Sequence, residues 1–199
     1  MDKRLVAVLD GFLRNQGSPL DVINTASALL QCQLPADYIE ILQYMDGGEG
    51  FVGSEYIRLY PSKKLAELNS AYGVREFAPG LVIFGSNGRG EAYAFDYRQN
   101  RQHVVRVPFI PMDLDYLEVE GPSLAEFLLN HADPKPRLFR TRRKPNPELI
   151  GKEIHEIMPV VFGGSPVDPK NKVFLEPESY AEYVMWWNRK YQELKGHTG

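Results

Sequence analysis

The 199-residue chain is poor in the side chains that most enzymes rely on: one cysteine (Cys32), four histidines and two tryptophans. A lone thiol excludes an internal disulfide and a paired-cysteine zinc site, and the cytoplasm is the simplest compartment to expect. No run of eighteen apolar residues occurs, so no membrane-spanning helix is expected. The opening MDKRLVAVLDGFLRNQG has neither a long apolar core nor a small-residue cleavage site, so it is not expected to act as a secretory signal. His-Glu-x-x-His, Gly-Lys-Ser/Thr and a nucleophile elbow are all missing, which removes the usual motif-borne routes to hydrolysis and phosphate chemistry.

Apolar residues make up 43% of the chain and charged residues 25%, enough for one full domain with an appendage or for two small domains. Charge is uneven. Through Pro134 there are 11 Lys and Arg against 18 Asp and Glu; from Lys135 onward there are 12 against 8. An acidic body disfavours direct nucleic-acid binding and suits a basic protein partner.

Leu5, Val8, Leu9 and Phe12 share helical spacing within 3–14, with Gly17 as the stop. Ser18-Pro19 reads as a cap before a helix with Val22, Ile23, Ala26, Leu29 and Leu30 on one stripe. Cys32, among Leu29, Leu30 and Leu34, reads as a small core residue. A short helix from Leu34-Pro35 is broken at Asp46-Gly47-Gly48. Tyr56–Tyr60 reads as a strand, and Leu65, Leu68 and Tyr72 mark another helix. In LVIFGSNGRGEAYAFD (81–96) an apolar run meets a glycine-rich turn. Tyr93, Phe95 and Tyr97 then alternate with Ala92, Ala94 and Asp96, the pattern of a half-buried strand. Asn87-Gly88 and Gly90 supply the positive φ angles of a hairpin. A phosphate cradle would need a helix next; a strand follows. Val104–Val107 is a further strand, and Ser123 caps a helix ending near His131. Helices packed on a largely antiparallel, hairpin-containing sheet make an α+β domain, with a small C-terminal hairpin-helix appendage. Residues 132–148 hold four prolines and the basic cluster Arg140, Arg142, Arg143 and Lys144, and read as a solvated linker.

In order, LPADYIEILQYMDGGEG (34–50), YIRLYPSKKLAELNSAYG (56–73), FAPGLVIFGSNGRGEAYAFD (77–96), VPFIPM (107–112) and SLAEFLLNH (123–131) resemble the SUKH superfamily, the Smi/Knr-type domain of bacterial immunity proteins and fungal cell-wall regulators. Asp46-Gly47 stands where the family commonly shows Asn-Gly. The resemblance covers residues 1–131. It implies an α+β binding domain without a catalytic centre or cofactor, often one that neutralises a toxin (a nuclease or deaminase) by binding it.

The segment 149–199 forms a separate unit on this reading. Within it, EIHEIMPVVFGGSPVDPKNKVFLEPESYAEYVMWWN (153–188) resembles an HNH nuclease motif. The resemblance places His155 at a metal-ligand position, Glu156 where the family has its general base and Asn171 at the residue that orients that base. Tyr180 stands where a second metal histidine belongs, with Val184 one turn further on. With one ligand left, no metal is expected to be held, so a ββα-like shape without the chemistry is the expectation. Its helix, carrying Trp186-Trp187, either docks on the body or presents an aromatic hot spot.

The expected function is therefore that of a non-enzymatic, cytoplasmic immunity or adaptor protein with a protein partner and no membrane or direct nucleic-acid contact. Acids in turns or apparently exposed segments are the expected contacts: Asp46, Glu49, Glu55, Glu91, Asp96, Asp113, Asp115, Glu118 and Glu120. Alternatives are a metal-dependent HNH-type endonuclease and a homo-oligomeric scaffold.

Overall fold

A computed structural model describes residues 1–99, 102–132 and 146–196; the basic cluster Arg140–Lys144 lies outside them. The body runs α1 (Lys3–Leu9), β1 (Leu13–Arg14), α2 (Leu20–Leu30), α3 (Ala36–Tyr44), β2 (Gly48–Val52), β3 (Glu55–Leu59), α4 (Ser62–Ala71) and α5 (Val74–Phe77). It continues with β4 (Leu81–Ser86), β5 (Glu91–Asp96), β6 (His103–Pro108), β7 (Glu118–Gly121) and α6 (Leu124–Ala132). The tail adds β8 (Glu153–Glu156), β9 (Lys172–Leu175) and α7 (Pro177–Gly196). Strands β1 to β7 pair antiparallel in chain order, and β8 pairs with β9 in a second, two-stranded sheet. This is the α+β architecture expected. Among the described residues, no helix is long and apolar enough to cross a membrane.

The core is aromatic and centred on β4 and β5. Phe84 stacks on Phe95 with ring centroids 4.3 Å apart; Tyr38 of α3 leans on both, and Phe127 of α6 sits 5.0 Å from Tyr93. The alternation in β5 does not mean a half-buried strand. Ala92 and Ala94 are as inaccessible as Tyr93 and Phe95, because β5 lies inside the sheet with both sides covered. Beyond Tyr60 the chain leaves the sheet for α4, so β3 pairs with β4 only at Arg58–Ser86 and Leu59–Gly85. Asn69 of α4 then takes over the open edge, accepting from the Ile83 N–H at 2.8 Å and donating to its carbonyl at 2.7 Å. A side-chain amide thus replaces a strand and satisfies a buried backbone. Gly85 makes the close approach possible, since a Cβ there would lie 2.2 Å from the Arg58 carbonyl oxygen.

Two local expectations change. The first helix stops at Leu9 rather than continuing to residue 14: Asp10 closes it, Phe12 turns inward, and Leu13-Arg14 pair with β2. Ser18 is not a cap. Its hydroxyl meets that of Ser62 at 3.1 Å, and α2 begins at Leu20 behind Pro19, which stands at the cap position without a side-chain hydrogen bond. The cap of α4 comes from Asp46, which accepts from the Ser62 N–H at 2.7 Å, work that an asparagine oxygen at the same position performs equally well. Cys32 is half-buried against the core, and burial raises its thiol pKa.

Candidate functional site

The glycine-rich loop between β4 and β5 is a hairpin turn, as its composition indicates. Gly88 has φ +66° and Gly90 φ +99°. The Asn87 side-chain oxygen accepts from the N–H groups of Arg89 and Glu91 at 2.8 and 3.1 Å. What the sequence does not show is that the tail docks on this loop. The Ile154 N–H donates to the Gly88 carbonyl at 3.1 Å, and the Ser86 hydroxyl donates to Glu153 at 2.6 Å.

Beneath that contact lies a buried ion cluster. Arg58 of β3 donates from Nε to Glu49 at 2.7 Å, from Nη1 to Glu153 at 2.8 Å and from Nη2 to the Lys152 carbonyl at 2.8 Å. Glu49 also accepts from the Gly151 N–H at 3.0 Å. Burial works against the Arg58 charge, but Glu153 and Glu49 outweigh it and raise the pKa. Burial raises the Glu153 pKa against the opposing pull of Arg58. A guanidinium with each of its three nitrogens engaged in this way clamps body to tail. Strand β8 is correspondingly inside-out. Glu153 and His155 face inward at 0% and 1% exposure, while Ile154 and Glu156 are only half-buried.

The nine expected contact acids separate into distinct places. Glu91, Glu118 and Glu120 gather around one cation, Arg106 of β6. It pairs with Glu91 at 2.8 Å, with Glu120 at 2.7 Å, and with Glu118. Glu55 is exposed nearby: with Glu120 and Glu91, it reinforces the effect of burial in raising the Tyr93 pKa. Together these acids give the end of the sheet at β5–β7 a surplus of negative charge, with Val119 exposed on the edge strand β7. Asp113 and Asp115 sit elsewhere, against Lys195 of α7 at 2.6 and 3.1 Å. Burial of Asp113 is outweighed by the Asp115 N–H and Lys195, which lower its pKa. Asp96 pairs with Arg98, which lowers its pKa. The expectation of exposure fails at Glu49 and Asp113, both buried, because each carboxylate is spent on an internal partner. Asp46 is half-buried at its helix cap.

The tail positions that resemble a nuclease motif serve the fold. His155 is buried against the rings of Tyr183 and Tyr180, at 4.6 and 5.4 Å between centroids. Burial alone lowers its pKa to about 4. Glu156 accepts from the Val160 N–H at 3.2 Å and pairs with Lys172 at 3.4 Å. Asn171 closes the loop between β8 and β9, donating to the carbonyls of Met158 and Ser165 and accepting from the Met158 N–H. Tyr180 and Val184 are core residues. Among the described residues, no three metal-ligating side chains converge. The helix α7 docks on the body: Asn188 accepts from the Met112 N–H at 2.6 Å and donates to the Phe109 carbonyl at 2.8 Å. Trp186 remains exposed.

Arg58, Glu153 and Asn188 are the structural residues that sequence reasoning missed. Arg58 in a strand bounded by Ile57 and Leu59 is the one legible signal, since a lone charge in an apolar strand needs a partner when buried. Residues 18–130, more than half of the chain, match the SMI1 / KNR4 family (SUKH-1); the match ends before the tail begins. No curated protein matches the chain.

Proposed function

For a chain that belongs to the SMI1 / KNR4 family (SUKH-1), we propose the role of a non-enzymatic immunity-type protein that neutralises a toxin by direct, stoichiometric binding. The observation that carries this reading is the acidic cluster Glu91, Glu118 and Glu120 around Arg106 at the open end of the sheet. Three carboxylates around one guanidinium leave net negative charge on an exposed edge. Such a field accelerates encounter with a basic partner and fixes its orientation. Charges on an edge strand also prevent indiscriminate strand pairing, so the edge is kept for a complementary surface. Glu55 belongs to this face, whereas Asp46, Glu49 and Asp96 support the fold. The tail is a structural buttress, its HNH-like positions given over to packing and loop closure.

The test is co-expression with a toxin domain encoded beside this gene, followed by association kinetics on the purified pair. A Glu118→Lys, Glu120→Lys double variant that keeps its circular dichroism spectrum should associate about tenfold more slowly at low ionic strength, with a flatter salt dependence. Unchanged association and salt dependence would discard the acidic face. Absence of complex formation and of growth protection would discard the immunity role.

A further inference from the structure

Helix α7 carries apolar side chains on two faces, where a surface helix usually carries them on one. The inner face, with Tyr180, Ala181, Val184 and Asn188, is buried on the body. On the outer face Tyr183 and Trp186 are 47% and 59% exposed. The Trp186 ring meets Trp187 edge-on at 4.6 Å between centroids, and Trp187 lies 4.6 Å from Phe162 of the loop between β8 and β9. The same loop adds Val160 and Val161, both close to half exposed. Single exposed apolar residues are ordinary on a protein surface, but a connected group of this kind marks a place where something binds.

The charges beside the rings indicate what covers them. Glu182 and Lys190, both exposed, stand four residues before and four after Trp186. Side chains at that spacing form one ridge, with about 6 Å between successive members along the axis. Turned about a two-fold axis through Trp186, this ridge meets itself antiparallel. Glu182 then faces Lys190 of the second copy, and Lys190 faces Glu182 of the second copy, so the surface is complementary to itself. Within its own chain Lys190 pairs with Glu193 at 3.1 Å, and both groups lie largely in solvent. Such a pair is worth little and is readily exchanged. Other occupants match less well. A lipid surface favours a flank rich in Lys and Arg, and here Glu182 shares the ridge. A strongly basic partner, of the kind that suits the acidic face, gains from Glu182 and is repelled by Lys190.

The exposed area is sufficient for a pair. Covering these rings and valines removes about 500 Å² per copy, given about 150–250 Å² for one fully covered aromatic side chain. Two copies together reach about 1,000 Å², the lower bound for a specific interface. We propose that the chain forms a two-fold dimer through the outer face of α7, with Trp186 on the axis and Glu182 paired with Lys190 across it. An interface of this size, anchored by tryptophan and tyrosine, gives reversible association with a Kd of about 10–100 µM. It contains none of Glu91, Glu118 and Glu120, so it does not draw on the acidic residues around Arg106.

Sedimentation velocity on the full chain, from about 2 to 200 µM, reads the association directly. The mean mass should rise from monomer toward dimer across that range. Trp186→Ala, a change at an exposed position, should weaken dimerisation by about tenfold or more, with the circular dichroism spectrum and denaturant midpoint unchanged. Glu182→Lys alone sets like charges against each other across the axis, and so does Lys190→Glu alone. Each should weaken self-association by about threefold to tenfold at low ionic strength. Mixed in equal amounts, the two charge variants should recover the wild-type affinity, because unlike charges meet again in the mixed pair. A chain that stays monomeric at about 200 µM overturns the proposal, as does a dimer indifferent to Trp186→Ala. Failure of the mixed variants to recover affinity removes the axis from Trp186 and overturns the proposed pairing. A monomeric chain that loses toxin binding on Trp186→Ala assigns the face to the toxin and likewise overturns the dimer. Self-association is read on this chain alone, so its failure leaves the immunity role to its own test.

Discussion

The body and the tail of this protein are held by different forces. The body closes around Phe84 and Phe95 of interior strands, with Tyr38 of α3 against both rings and Phe127 of α6 against Tyr93. Among its described residues the tail contributes Tyr180, Ala181 and Val184 to the buried core, with Leu175 and Met185 packed against it, and much of its attachment is polar. Arg58 holds Glu153, Asn188 holds the backbone at Phe109 and Met112, Lys195 reaches Asp113, and the Tyr72 hydroxyl donates to the Pro177 carbonyl at 3.2 Å. Apolar packing is indifferent to pH and to charge placement, whereas a buried polar attachment fails when one member is removed or protonated. One chain therefore carries a robust domain and an attachment that charge and pH can loosen.

The largest expected effect is in the body. Phe95→Ala empties the centre of the ring cluster and should cost about 3–5 kcal/mol in global stability by denaturant unfolding. Loss of under about 1 kcal/mol would mean that the core re-forms around the cavity, which dense packing resists. Next is the clamp. Arg58→Ala leaves Glu49 and Glu153 buried without their cation, a change worth about 3–5 kcal/mol. Hydrogen exchange should place the loss chiefly at residues 150–175, with β4 and β5 still protected. Uniform deprotection of the body would erase the distinction between the two regions.

The third effect is pH dependence. The His155 pKa falls from 6.5 to about 4 on folding. The unfolded chain therefore binds more protons between those values, and folding stability rises with pH across the window. The contribution is fully present above pH 6.5 and is lost as pH falls toward 4, amounting to about 3 kcal/mol. Glu153, shifted upward, acts in the opposite sense at the acid end. A His155→Phe comparison subtracts it: the variant should show a flatter stability profile between pH 6.5 and 4, and an identical slope would remove His155 from the balance. The smallest effect is at the surface. Lys195→Ala removes a half-exposed cation from Asp113 and Asp115, while the Asp115 N–H still holds the buried Asp113 carboxylate, and should lower stability to thermal unfolding by about 1 kcal/mol or less. A large drop would show that α7 relies on that ion pair rather than on Asn188.

The elements of the body were legible because their signals are local. Glycine-rich GSNGRG between an apolar run and an alternating one specifies a hairpin from backbone geometry alone. Apolar periodicity placed α2, α3, α4 and α6 within a few residues. The acids were recognisable as a group, but not which of them would share a face. Glu91, Glu118 and Glu120 meet only because β5, β6 and β7 lie side by side around Arg106.

Composition and pattern by themselves determined an α+β chain, its hairpin turn and its resemblance to a binding family. Tertiary structure alone decided what His155, Glu153 and Arg58 do. The alternation in Glu153–Glu156 favours burying Ile154; the fold buries the charged face instead, because Arg58, 95 positions earlier in the chain, supplies the compensating charge. Local preference cannot anticipate a partner that far away. The cost of burying a charge is set by what waits at the interface, and that is known only once the chain has closed.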